Sequence, residues 1–87
     1  MYVIVVYDVE EKRVANVCKF LRQYLHWVQN SVFEGELTEG KLQEVQIGLK
    51  KRIKADKDSI LFYKLRTSRD IEKEAMGIEK AMPDVFI

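Results

Sequence analysis

The side chains of this chain that could do chemistry gather at a few points. Asp8 closes an apolar run, Tyr2-Val3-Ile4-Val5-Val6-Tyr7, and is followed by Glu10, Glu11, Lys12 and Arg13. A carboxylate in that place can hold a hard divalent cation or cap the helix that follows. Lys12 and Arg13 can hold phosphate oxygens or simply lie in solvent. Further on, Lys50-Lys51-Arg52-Ile53-Lys54 offers a basic surface to a polyanion, or complements the negative end of a helix. Ser31 can donate to a phosphate or to the backbone. His26 is the only histidine and has no Ser or Cys motif beside it, so there is no nucleophilic dyad. There is no phosphate-cradling glycine loop and no zinc-ligand spacing. Trp27 can stack on a base, although a buried or interface tryptophan fits it better.

Length and composition bound the rest. Eighty-seven residues make one domain, residues 1–87. A domain of this size buries only about 60–65% of its unfolded surface and gains much from a partner. The single cysteine, Cys18, excludes an internal disulfide framework and fits a reducing cytoplasm. No apolar run reaches the ~20 residues that span a bilayer, and no basic segment precedes an apolar core, so neither a membrane span nor a signal peptide is expected. Net charge is only +1, but it is unevenly placed. From Lys41 to Arg69 there are nine Lys/Arg against three Asp/Glu, and from Asp70 to Ile87 five acids against two bases.

The elements that must position these groups follow from periodicity. Tyr2 to Tyr7 reads as a central strand covered on both faces. Glu11 to Leu25 reads as a helix, with Val14, Val17, Cys18, Leu21 and Leu25 on its apolar stripe; Cys18 is then a core thiol. Trp27 to Leu37 reads as two short strands with a turn or bulge near Asn30. Thr38 caps a second helix whose stripe is Leu42, Val45, Leu49 and Ile53. Asp56-Lys57-Asp58 is a turn, and Ser59 to Leu65 a strand apolar on both faces. The order βαββαβ is that of a ferredoxin-like α+β sandwich. Local propensity favours a helix over Asp70 to Met76, and Pro83 precedes a short apolar end, Val85-Phe86-Ile87.

Two helices cover one face of such a sheet. Yet Tyr2, Ile4 and Val6 point one way from the first strand, and Val3, Val5 and Tyr7 the other. Ser59 to Leu65 repeats the problem, with Ile60 and Phe62 opposite Leu61, Tyr63 and Leu65. A lone subunit would expose a large apolar patch. Burying it at roughly 25 cal/mol per Å2 favours association by many kcal/mol before entropic costs. The expectation is an obligate homodimer, sheet packed on sheet.

Taken together, Tyr7-Asp8-Val9, Lys12-Arg13, Val17, Leu21, Val28-Gln29, Ser31-Val32-Phe33-Glu34-Gly35, Asp58-Ser59 with the run Ile60 to Leu65, and Val85-Phe86-Ile87 resemble one family. It is the family of small CRISPR-associated adaptation proteins, ferredoxin-like homodimers described as endoribonucleases and partners of the CRISPR integrase. Ser31 to Gly35 is the most specific part of the match. The resemblance implies an antiparallel strand, not a helix, over Asp70 to Met76. It implies a C-terminal extra strand, residues 84–87, that docks on the partner subunit's sheet. It sets Tyr7 and Phe33 near the site, although both also read as core, and it matches Arg13 to a loop arginine.

The shared face of Ile4, Val6 and Asp8 gives the resemblance a mechanism. A two-fold axis near this strand end brings two Asp8 carboxylates together, and facing carboxylates either share a proton or hold a cation. One Mg2+ or Mn2+ ion shared between them suits hard oxygen ligands and retained water, and could drive metal-dependent phosphodiester hydrolysis in RNA or DNA. Asp8 is thus both the catalytic and the metal candidate. Lys12, Arg13, Ser31, Lys50, Lys51 and Arg52 are the candidates for holding nucleic acid. Family members often carry basic residues where this chain has Asn16 and Trp27. That loss of charge favours the alternative, a non-catalytic dimeric scaffold that binds duplex DNA and bridges integrase subunits during spacer acquisition. An unrelated ferredoxin-like regulatory module would leave Ser31 to Gly35 unexplained.

Overall fold

In a computed structural model of the chain, residues 1–67 and 69 are described. The order is β1 (Tyr2–Asp8), α1 (Glu11–Leu21), β2 (His26–Gln29), β3 (Val32–Glu36), α2 (Glu39–Lys50) and β4 (Ser59–Leu65). The sheet order is β2-β3-β1-β4, with every neighbouring pair antiparallel. This is the α+β, ferredoxin-like βαββαβ arrangement that the periodicity predicts. The expected strand over 70–76 and the C-terminal extra strand lie outside the described residues.

β1 is central because its two edges are both taken. Val5 pairs with Phe33 on one side and with Phe62 on the other. Its alternation is visible in burial: Val3, Val5 and Tyr7 are buried, whereas Tyr2, Ile4 and Val6 are half-buried. The buried set faces the helices. It packs with Val17, Phe20 and Leu21 of α1, Leu42, Val45 and Leu49 of α2, and Phe33 of β3.

The helices begin and end for local reasons. Thr38 caps α2, its Oγ1 accepting from the Lys41 amide at 3.1 Å. The helix α1 is shorter than its stripe suggests and stops at Leu21. Beyond it the amides of Gln23 and Tyr24 reach back three residues, to Phe20 and Leu21, which tightens the chain into a turn. Leu25 is still buried, so its place in the apolar pattern is kept without helix. Ile53 likewise lies past the end of α2 and packs against the core from a turn. Between β2 and β3 the chain reverses at Asn30, whose φ of 44° lies in the left-handed region that Asn tolerates. A register shift between Trp27 and Gln29 marks the bulge beside it.

One packing contact ties the helices together. The Phe20 ring sits on Gly48, with the Arg52 guanidinium over it at 4.2 Å from the ring centre. A Cβ on Gly48 would lie 2.1 Å from Phe20 Cζ.

The other sheet face is bare among the described residues. Direct pairing sets Tyr2 beside Leu65, Ile4 beside Tyr63, Val6 beside Leu61 and Asp8 beside Ser59. Leu61 is 52% exposed and Tyr63 54%. Glu34 and Glu36 join this face from β3, and the Tyr2 hydroxyl donates to Glu34 Oε2 at 3.0 Å. Burial, and next the hydrogen bond to Glu34, push the Tyr2 phenol up to about 12.

Replacing Gly48 by Ala should destabilise the fold. The steric cost of about 1–3 kcal/mol for overpacking opposes a helix-propensity gain of about 1 kcal/mol. The displaced ring would also lose its fit to Arg52, so a net loss of about 1–2 kcal/mol is expected in urea denaturation. Equal or greater stability would show that Phe20 is free to swing aside.

Candidate functional site

The topology brings the chemistry-bearing residues to one end of the sheet. β1 ends there at Asp8, and α1 begins three residues later. The β2–β3 turn is there too, because Val6 pairs with Val32 and the Tyr7 amide donates to the Ser31 carbonyl at 3.0 Å. β3 finishes at the opposite end, where Glu36 pairs with Tyr2. α2 runs back from it, so Lys50, Lys51 and Arg52 arrive at the Asp8 end just before β4 starts at Ser59.

Asp8 is exposed at the rim of the bare sheet face. Among the described residues its carboxylate takes no hydrogen bond and no ion pair. It does not cap α1. The N-cap position belongs to Glu10, which makes no side-chain cap bond. The capping alternative for Asp8 is therefore overturned, because the chain runs on past it before turning into the helix.

The nearest carboxylate that is fully engaged is one the sequence pattern does not single out. Asp58, read as part of a turn and of the family match but given no role, has a side chain with no exposed surface. Its Oδ1 accepts from the Glu10 amide at 3.0 Å and from Arg13 Nη2 at 2.8 Å. Its Oδ2 accepts from the Lys54 amide at 2.8 Å and from Arg13 Nε at 2.6 Å. Arg13 Nη2 also reaches the Glu10 carboxylate. The Arg13 guanidinium, aided by the Lys54 and Glu10 amides, holds the Asp58 carboxyl well below the usual carboxylate range, against the opposing effect of burial. The same pairing keeps Arg13 protonated above its ordinary range.

This network changes what two of the phosphate candidates can do. Arg13 has Nε and Nη2 committed to Asp58 and Glu10, so it serves first as an internal tie. Arg52 donates from Nη1 to the Gly48 carbonyl at 2.9 Å and covers Phe20, and its Nε is buried. Both guanidiniums are drawn inward because a planar fork fits carboxylates, carbonyls and rings better than an ammonium does. Lys12, Lys50 and Lys51 stay exposed, joined by Lys54 and Lys57. Ser31 is half-buried, with its carbonyl used by Tyr7.

Tyr7 points away from Asp8, to the helix side. Its hydroxyl lies 2.8 Å from Cys18 Sγ and 3.4 Å from the Asn30 carbonyl. Burial, with the Cys18 contact second, raises its phenol well above the ordinary value, which leaves it a neutral strut. Phe33 is fully buried with its ring 6.1 Å from that of Tyr7. Trp27 packs partly on the core and donates from Nε1 to the Asn30 carbonyl at 3.0 Å. These aromatic residues shape the turn next to the site from behind.

Among the described residues no group of three or more His, Cys, Asp or Glu is placed to hold a metal ion. Among the described residues Asp8 therefore stands outside any such group. The donor is a hard oxygen, which suits Mg2+ or Mn2+, ions that keep several waters and need few protein ligands. The fit requires a second carboxylate from a second copy. No helix among the described residues is long and apolar enough to cross a membrane.

Known proteins share this sequence and this fold. The family model described as CRISPR associated protein Cas2 matches residues 1–73. The chain is 51% identical over 82 residues to a CRISPR-associated endoribonuclease Cas2 of Archaeoglobus fulgidus, covering 94% of this chain and 89% of that protein. It is 54% identical over 80 residues to a CRISPR-associated endoribonuclease Cas2 of Thermococcus kodakarensis, covering 92% of each. A solved crystal structure of Cas2 superposes with a TM-score of 0.85 at 47% identity, covering 93% of this chain and 91% of that one.

Asp58 makes acid stability testable. Its folded-state pKa is depressed, so its contribution is complete above the unfolded value of about 3.9 and is lost as pH falls below it. Asp58→Asn should lower the melting temperature at pH 7 by roughly 5–10 °C. It should also flatten the fall in melting temperature between pH 5 and the acid limit, a range of roughly two units or more. Parallel acid profiles for the two proteins would show that titration of Asp58 makes no contribution to acid unfolding.

Proposed function

The chain belongs to the CRISPR-associated Cas2 family, and we propose that it acts in CRISPR adaptation as a homodimeric, metal-dependent endonuclease that hydrolyses phosphodiester bonds of RNA or DNA. The observation that carries this reading is the free Asp8 carboxylate at the rim of a bare apolar sheet face. A second copy applied to that face buries Leu61 and Tyr63, which nothing among the described residues covers. An isologous contact brings a residue together with its own copy only where the two-fold axis passes beside it, so this reading sets the axis at the Asp8 end of β1. Two Asp8 side chains there would hold one Mg2+ or Mn2+ ion.

Such an ion, when bound, lowers the pKa of a coordinated water and offsets charge on the scissile phosphate. The chain's own residues supply the rest. Asp8 carries the negative charge that selects a cation. Lys12, Lys50 and Lys51 lie at the same end and can hold flanking phosphates as exposed point charges. The Ser31 hydroxyl can donate to a phosphate oxygen. The names of the relatives support RNA as the substrate class.

A second reading rests on the exposed lysines. Lys50, Lys51, Lys54 and Lys57 ring the end of α2 and the following turn, free of the inward ties that hold Arg13 and Arg52. A dimer presents this cluster twice. In that reading the protein is a scaffold that grips duplex DNA and bridges integrase subunits.

Asp8→Ala should reduce Mg2+-dependent cleavage of RNA by at least about 100-fold. Sedimentation should still report a particle of twice 10.3 kDa. Undiminished cleavage by the variant would remove the catalytic role, and a stable single-subunit particle would remove the paired site. For the scaffold, replacing Lys50 and Lys51 with Ala should weaken duplex binding and reduce the slope of log affinity against log salt by roughly 0.9 per lost phosphate contact. An unchanged slope would place the DNA on another surface.

A further inference from the structure

We propose that Asp58 is the positioning residue of the Asp8 site, and that Arg13 acts through it. The proposal rests on Asp8 being the functional carboxylate, and it deepens that reading. Beyond β1 itself, Asp8 has one covalent neighbour segment and one paired neighbour on β4. The covalent one is the loop that leads through Glu10 into α1, and the paired one is Ser59, opposite Asp8 across the β1–β4 ladder. Asp58 grips both. It precedes Ser59 in the chain, and its Oδ1 holds the Glu10 amide two residues beyond Asp8. Its remaining bonds fix the turn before β4 through the Lys54 amide, and the first turn of α1 through Arg13.

Four donors from three segments converge on one buried carboxylate, and Asp8 sits at the rim between those segments with no tie of its own among the described residues. An exposed carboxylate without partners has no intrinsic preference for one place. Its backbone must supply that preference, and two copies must supply it together if they are to share an ion. An asparagine at position 58 has one acceptor oxygen. It cannot take the Arg13 fork, the Glu10 amide and the Lys54 amide together. The loop from Asp8 to Glu10 would then lose its anchor even where the sheet remains intact.

The test compares labelled full-length wild type, Asp58→Asn and Val45→Ala by NMR at a temperature where all three are folded. Val45 is buried in the core from α2 and makes none of the hydrogen bonds that hold the loop, so its truncation weakens the fold without removing a tie to residues 8–10. Asp58→Asn should shift the Asp8 carboxyl carbon resonance and speed amide exchange at residues 8–13 by about tenfold or more. Val45→Ala should leave both as in wild type. In RNA cleavage with Mg2+, Asp58→Asn should lower kcat by about 10–100-fold with KM changed less than about twofold. Arg13→Lys keeps the charge but loses the two-pronged contact, and should move the same resonances; it carries the NMR test if Asp58→Asn does not fold. An Asp8 resonance and loop exchange that stay as in wild type, or that Val45→Ala alters equally, overturn the proposal. Wild-type protein without Asp8-dependent cleavage would instead remove the nuclease reading, while the resonances still decide whether Asp58 sets the position of Asp8.

Discussion

β1 is hydrogen-bonded along both edges and apolar on both faces, and the rest of the molecule is arranged around that constraint. A strand so placed cannot be satisfied by one layer of cover. The helices α1 and α2 close the side of Val3, Val5 and Tyr7. The side of Ile4 and Val6, continued by Leu61 and Tyr63, stays open among the described residues. Asp8, the carboxylate proposed for the chemistry, stands at the end of this same strand and on its open side. In the proposed reading self-association and chemistry are therefore coupled, because the strand with the uncovered apolar face also carries Asp8.

The polar groups at that end divide by charge geometry. Guanidinium groups turn inward, Arg13 to Asp58 and Arg52 to Gly48 and Phe20, where their shape is matched. Ammonium groups stay outside, where strong hydration favours them. The result is a basic surface made of lysines over a frame held by arginines. Its stiffness comes from Asp58, and its charge from side chains that take no part in the frame.

Much of this was legible in the sequence because it rests on periodicity. The strand from Tyr2 to Tyr7, the two-strand reading of Trp27 to Leu37, the Thr38 cap and the double-sided apolar pattern all follow from spacing alone. Asp8 stood out because a carboxylate after an apolar run, weak by itself, joined the Ser31 to Gly35 stretch in one family resemblance. Asp58 did not, since its partners Glu10 and Arg13 are 48 and 45 residues away, and nothing near it in sequence announces burial. Arg13 and Arg52 looked like phosphate ligands for the same reason: sequence shows a cation but not the acceptor that claims it. The overlong reading of α1 came from Leu25, which keeps its apolar role from a turn that tightens after Leu21.

The pairing of Asp8 with Ser59 also imposes a timetable on the growing chain. The β2–β3 hairpin closes over a few residues and can form within microseconds. The β1–β4 ladder joins segments some fifty residues apart, with a loop-closure cost that must be met before its contacts give anything back. Asp58 enters only with the segment that leads into β4. Until β4 has been synthesised and docked, Arg13 has no anchor and β1 has one bare edge. A nascent or truncated chain that stops short of residue 58 would hold Asp8 on an unmoored loop, so the ordering of that loop waits for the segment that also brings Leu61 and Tyr63 to the open face.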